Sequence, residues 1–191
     1  MAKTNAMRKR SRSPMRWAVL ICVLTLLISG GISFLSDVLL SRGGTVVAFI
    51  TLLAIVLVGI LFDMIGVAVT TAQESPFHSM ASRKVPGAKE AIWLLRNAGR
   101  VGSICNDVVG DVCGVVSGSA SALIAAKIVL SEEPSFVPLL LSSTVAALTV
   151  GGKALGKSAA LRSCTPIVYA VGRFLYAMHH IPQRLQNRNK K

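Results

Sequence analysis

The chain has 191 residues, of which 52% are apolar and only 15% charged, where a soluble domain carries about 25% charged residues; a mean hydropathy of +0.62 excludes an ordinary water-soluble domain. The net charge of +13 falls in blocks between apolar runs and is not interleaved with aromatics, which make up 5%. That pattern argues against nucleic-acid binding and for membrane flanks that face anionic lipid.

Residues 1–16 form a basic leader carrying Lys3, Arg8, Lys9, Arg10, Arg12 and Arg16, with Ser11, Ser13 and Pro14 marking a disordered flank. The apolar run that follows reaches Leu40 without an A-x-A exit, which favours a retained signal anchor over a cleaved signal peptide. A helix needs about 20 apolar residues to cross the hydrocarbon, because lipid offers the backbone no hydrogen-bond partner. Residues 17–40, 45–71, 101–130 and 136–157 meet that requirement. The first two are joined by the turn Ser41-Arg42-Gly43-Gly44, the last two by Ser131-Glu132-Glu133-Pro134-Ser135.

Between the second and third runs, residues 73–99 mix charge with Ala88, Ala91, Ile92, Leu94 and Leu95, and Pro86-Gly87 divides them. They predict two short helices at the cytoplasmic surface. Residues 165–178 predict an interfacial helix anchored by Tyr169 and Tyr176; a short fifth span there would expel the basic tail. Basic residues collect in the leader, in the 73–100 loop (Arg83, Lys84, Lys89, Arg96, Arg100) and in the tail at 182–191 (Arg184, Arg188, Lys190, Lys191). By the positive-inside rule all three lie on the cytoplasmic side. The expected fold class is therefore all-α: a polytopic membrane protein of about four transmembrane helices plus cytoplasmic juxtamembrane helices. Residues 17–181 form its membrane domain, and both termini are cytoplasmic in a multi-pass protein of the plasma membrane.

Ionisable residues inside spans are costly and survive where they have a partner or a task. Asp63 lies near the cytoplasmic end of the second run, Asn106 and Asp107 near the start of the third, with Asp111 one turn further, and Lys153 near the end of the fourth. A rise of about 1.5 Å per residue places Asp63, Asn106, Asp107 and Lys153 in one inner slab of the bilayer. Gly102, Gly110, Gly114 and Gly118 form a small-residue stripe for close helix approach. Gly151, Gly152 and Gly156 flank Lys153 and are expected to loosen the fourth helix and free its carbonyls. Two accounts stand at this point. In one, oxygens of Asp63, Asn106, Asp107 and freed carbonyls hold a hard cation such as Mg²⁺. In the other, Lys153 neutralises one aspartate and the remainder hydrogen-bond or snorkel.

Other chemistry is poorly represented. Cys22, Cys105, Cys113 and Cys164 show no C-x-x-C spacing and read as small buried apolar residues. His179 and His180 point about 100° apart on a helix and read as a solvated pair, and His78 as a loop residue. No Ser/His/Asp spacing, P-loop or H-E-x-x-H occurs, so an enzyme is not expected.

The order of these features resembles the transmembrane domain of the CNNM/CorB/CorC magnesium and cobalt transporters across residues 45–181, most closely over 62–162. The stretch Leu61-Phe62-Asp63-Met64-Ile65-Gly66 is similar to the end of that family's first helix, where a phenylalanine-serine-glycine-serine-glutamate sequence is common. Ser103-Ile104-Cys105-Asn106-Asp107 is similar to its glycine-asparagine-threonine segment, with Asn106 on the asparagine. Gly152-Lys153-Ala154-Leu155-Gly156-Lys157-Ser158 is similar to its glycine-glutamate-x-x-proline-lysine-threonine motif. The resemblance implies a homodimer and a cytosol-facing pocket for largely dehydrated Mg²⁺. Asp63, Asn106, Asp107 and Gly152 are then the expected metal-binding positions, with Lys153 and Asp111 modulating the charge. Lys153 stands where the family has glutamate and Gly156 where it has proline, while Asp63 and Asp107 return negative charge. No CBS or CorC-type domain is found in the sequence. The alternative implied by Lys153 is a non-transporting membrane scaffold or regulatory subunit whose metal pocket this lysine occupies.

Overall fold

The apolar runs fold as long helices, as they must where only the backbone itself can satisfy its polar groups. The computed structural model describes residues 14–42, 45–128 and 136–188, and these are helical apart from short turns, with no strand. The leader through residue 13, Gly43 and Gly44 of the first turn, the acidic turn with Glu132 and Glu133, and the tail lysines Lys190 and Lys191 lie outside the described residues.

Helix α1 (Pro14–Arg42) is followed by α2 (Thr45–Thr71), then by the short α3 (Ser75–Ser82) and α4 (Ala88–Arg96). The third run is continuous but not uniform: α5 (Ala98–Ser103) passes into a π-helical segment (Ile104–Gly110) and then α6 (Asp111–Ile128). Helices α7 (Val137–Arg162) and α8 (Cys164–Arg188) complete the order. Among the described residues, three stretches are long and apolar enough to cross a membrane: Met15–Val38, Val46–Thr71 and Ala98–Ala125. The fourth expected span forms as the single 26-residue helix α7, long enough to cross but outside that apolar group.

Helix α2 touches α1, α5, the π segment, α6, α7 and α8, and so serves as the central post. Helix α1 lies outermost, the most apolar part of it unburied. At one end, the Arg100 guanidinium stands 5.6 Å over the Trp17 ring, setting the start of α1 level with the start of α5. The same end holds the main apolar core: Ala68 and Val69 of α2, Phe77, Ala91, Leu94, Leu95, Ala160 and Val168. A smaller core of Ala48, Leu52, Ala120 and Ile124 ties α2 to α6 towards the other end.

The two short helices expected between the second and third runs form. Pro76 sits in the first turn of α3, where no backbone donor is needed. Glu90 and Arg96 occupy the dipole-favoured first and last turns of α4. His78, expected in a loop, instead lies on α3 and pairs with Glu74 at 3.1 Å, a residue that also meets Arg96 at 3.5 Å. Helix α8 runs well past the expected 165–178, and Tyr169, expected as a membrane anchor, packs against the core cluster. Of the cysteines, Cys105 and Cys113 are buried as expected, whereas Cys22 is exposed on α1 and Cys164 half-buried.

The α4–α8 contact depends on two glycines. Gly87 turns the chain into α4 at φ 88°, a left-handed conformation that disfavours any side chain. Opposite it, a Cβ on Gly172 would lie 2.6 Å from the Gly87 carbonyl oxygen and 2.9 Å from the Ala91 nitrogen. Gly172→Ala is therefore expected to destabilise the protein by about 1–3 kcal/mol through overpacking. Gly99→Ala, on a helix with nothing within 4 Å of the added methyl, should be neutral or slightly stabilising. Thermal unfolding of the detergent-solubilised variants checks the contrast.

Candidate functional site

Among the described residues of the third run, the π segment is the one break in regular geometry. A π turn inserts an extra residue into an α-helix, which rotates the side chains before it relative to those after it. Asn106 is thereby turned towards α2, while Asp107 is exposed. The break was expected elsewhere, at the glycines of the fourth span. There, however, α7 runs unbroken through Gly151, Gly152 and Gly156, so the ladder of that helix is not opened.

Two reciprocal insertions close α2 against the π segment. The Asp63 carboxylate of α2 occupies the place a Cβ would take on Gly110, and the Asn106 amide occupies the place of a Cβ on Gly66 of α2. Each polar side chain thus fits against a glycine on the facing helix, and any larger residue at either glycine would displace it. One turn away the same seam continues with Gly59 against Cys113 and Gly102 against Thr70. On the other side of α2, Gly152 and Gly156 of α7 receive Ile60 and Met64: a Cβ on Gly152 would lie 2.5 Å from the Ile60 Cδ1. The role of Gly152 here is close packing. Of the expected small-residue stripe, Gly102 and Gly110 make contacts of this kind, whereas Gly118 faces open space.

Lys153 reaches from α7 into this seam. Its Nζ donates a hydrogen bond to the Gly110 carbonyl oxygen at 2.9 Å and lies 3.2 Å from Asp63 Oδ2 and 3.7 Å from Asp111 Oδ1. Asp63 is almost wholly buried, its side chain 3% exposed, while that of Asp111 is 74% exposed. Lys153 therefore bridges an inner and an outer carboxylate. Its contact with Asp63 is coulombic: Oδ2 accepts no hydrogen bond although it is buried, and Asn106 Oδ1 is likewise buried without a donor. A buried oxygen without a donor is costly: Asn106 Oδ1 has none, and the charge of Asp63 Oδ2 is offset by the Lys153 ammonium beside it.

Of the expected metal-binding positions, the structure brings Asp63 and Asn106 into one seam and leaves Asp107 on the outside and Gly152 in a packing contact. No group of three or more His, Cys, Asp or Glu side chains able to hold a metal occurs among the described residues. Sequence reasoning did not anticipate the Gly110 carbonyl as a partner of Lys153; the signal for it is the Gly110-Asp111 step directly after a polar Asn106-Asp107 pair, at the point where the helix changes its winding.

The pair sets a stability test. Removing one partner of a buried ion pair costs about 3–5 kcal/mol, because the other charge is left uncompensated. Lys153→Met and Asp63→Asn are each expected to lower stability by several kcal/mol on that basis, the double variant by less than their sum. A double-mutant cycle on thermal unfolding in detergent, in the absence of divalent cations, measures the coupling.

Comparison with protein-family models, with curated proteins and with solved structures finds no match to this chain.

Proposed function

We propose that this chain is a membrane protein of the plasma membrane with a CNNM/CorB-like core, and that it binds and moves a hard divalent cation, Mg²⁺ or a similar ion such as Co²⁺, at Asp63 and Asn106. The observation that carries this reading is the pair of buried oxygens, Asp63 Oδ2 and Asn106 Oδ1, which face one helix seam and accept no hydrogen bond. Carboxylate and amide oxygens are the ligands that Mg²⁺ prefers, with waters completing its shell. A membrane protein keeps a buried acidic group at this cost where it has work to do. In this reading the four long helices α1, α2, α5–α6 and α7 cross the bilayer, and α3, α4 and α8 lie on the cytoplasmic face with both termini. The stacking of Arg100 on Trp17 supports that arrangement, because it holds the two helix starts at one level. Membrane lipid surrounds the bundle, and a second copy is its partner, as the likeness to the CNNM/CorB domain implies.

A second reading has its own observation. Lys153 already stands 3.2 Å from Asp63, so the chain can act as a non-transporting scaffold or regulatory subunit with an internal ammonium in place of the ion. The experiment that separates them is cation flux into liposomes containing the purified protein, followed with Mg²⁺- and Co²⁺-sensitive dyes. Under the transport reading Asp63→Ala and Asn106→Ala should each slow flux at least tenfold, losing a direct ligand where even an outer-shell change costs about 10–100-fold. Rates indistinguishable from the native protein remove the site. Under the scaffold reading the native protein neither binds nor moves the ion, and binding emerges only in Lys153→Glu.

A further inference from the structure

Lys153 is placed less like a fixed structural partner than like one held between two positions. Its ammonium is anchored by the Gly110 carbonyl at 2.9 Å, and two carboxylates flank it at 3.2 and 3.7 Å, the nearer buried and the farther open to the surface. The space around the ammonium is kept clear on the α6 side by Gly114, where an added Cβ would meet nothing but Lys153 Nζ, at 4.0 Å. The cluster of Asp63, Asp111 and Lys153 has two negative groups and one positive, so its formal charge leaves room for a further cation. The inner carboxylate oxygen that meets the ammonium is buried and accepts no hydrogen bond, and on the same face of the π segment the Asn106 amide oxygen is likewise buried without a donor.

From this arrangement we infer that Lys153 is a tethered counter-ion that exchanges with the divalent cation: in the ion-free protein it neutralises Asp63, and on cation binding it moves to Asp111. This rests on the cation reading of Asp63 and Asn106 and adds to it a regulatory part. Without the ammonium, an empty site would leave a carboxylate uncompensated in a low-dielectric seam. With the ammonium fixed in place, an incoming dication would meet a like charge at contact distance. A carboxylate within reach on the outer side removes both penalties, because the lysine keeps an anionic partner in either state. Asp111 is thus a positioning residue for Lys153 rather than a ligand of the ion. The exchange also makes the ion's affinity a difference between two binding terms, so the site releases its cargo more readily than an unopposed pair of oxygens would.

The test uses the full-length protein in detergent with two readouts. Acetic anhydride labelling, read by mass spectrometry with the exposed Lys157 as internal reference, reports the accessibility of the Lys153 amine with and without Mg²⁺. Mn²⁺ binding, followed by electron paramagnetic resonance, reports affinity. Mg²⁺ is expected to raise labelling of Lys153 relative to Lys157, and Lys153→Met is expected to bind Mn²⁺ about tenfold or more tightly, having lost the competing charge. Asp111→Asn should weaken Mn²⁺ binding while leaving Asp63 and Asn106 in place. If Asp63→Ala abolishes Mn²⁺ binding but Mg²⁺ leaves Lys153 labelling unchanged in the native protein, the exchange is overturned and the cation site stands. If Asp63→Ala and the native protein bind Mn²⁺ alike, or neither binds it, the cation site falls and the exchange falls with it. The labelling arm requires no variant to fold, so a poorly folding Lys153→Met does not protect the proposal.

Discussion

The physical constraint on which the middle of this protein turns is a carboxylate held away from water. Asp63 is nearly fully enclosed by α2, α7 and the π segment, where an unpaired charge costs several kcal/mol. Everything nearby answers that cost. Gly110 has no side chain because the carboxylate takes its place, and Lys153 extends from the neighbouring helix to supply the opposite charge. Gly152 and Gly156 let α7 approach α2 closely enough for that reach, by accepting Ile60 and Met64. The glycines on the two facing helices are therefore set by the same requirement as the charges, since helix separation decides whether the ammonium arrives.

The π segment is the second consequence. In a regular α-helix Asn106 and Asp111 are five residues apart and point in different directions, and Asn106 and Gly110 only roughly share a face. The wider turn over Ile104–Gly110 changes the phase, so that Asn106 enters the α2 seam while Asp111 reaches Lys153 from the other side. One local change of winding thus distributes three polar side chains, Asn106 inward, Asp107 outward and Asp111 to the rim. Because π turns in helices so often accompany function, the coincidence of this one with the Asn106-Asp107 pair of the third run is itself informative.

Much of this was legible from residue order. Apolar run lengths gave the long helices, the Pro86-Gly87 break gave α3 and α4 as separate pieces, and the depths of Asp63, Asn106 and Lys153 placed them at one level before any contact was known. What stayed hidden has a common physical origin. A sequence read with a fixed 100° step cannot register a change of helical winding, so Asn106 and Asp107 read as equally placed for one site although the structure exposes Asp107. Glycine is similarly ambiguous: Gly152 reads equally as a loosened ladder and as a close packing contact, and only the position of Ile60 decides between them. The expected fourth span shows a different limit, for α7 has the length of a crossing helix but carries Ser142, Ser143, Thr144, Thr149 and Lys153 among its apolar residues. Three of those hydroxyls donate back to carbonyls four residues earlier, which hides their polarity from the surroundings without raising their hydropathy.

The distant end of α2 bears on the same seam. Ala68 and Val69, buried in the cluster with Phe77, Leu94 and Val168, follow Asp63 by about 8 Å along one rigid helix. The packing of α4 and α8 around those residues, fixed by the backbone contact between Gly87 and Gly172, therefore also fixes the height and rotation of Asp63 relative to α7. Ile60 and Met64 sit in the grooves beside Gly152 and Gly156, which leaves α2 little freedom to slide without unseating one or the other. A shift of α2 by about 1 Å along its axis would lose a large part of those close contacts, because dispersion falls off over fractions of an ångström, whereas the coulombic attraction between Asp63 and Lys153 declines only gradually with distance. The apolar end and the charged seam are in this sense a single mechanical unit, in which packing determines where the helix stands and the ion pair determines what that position is worth.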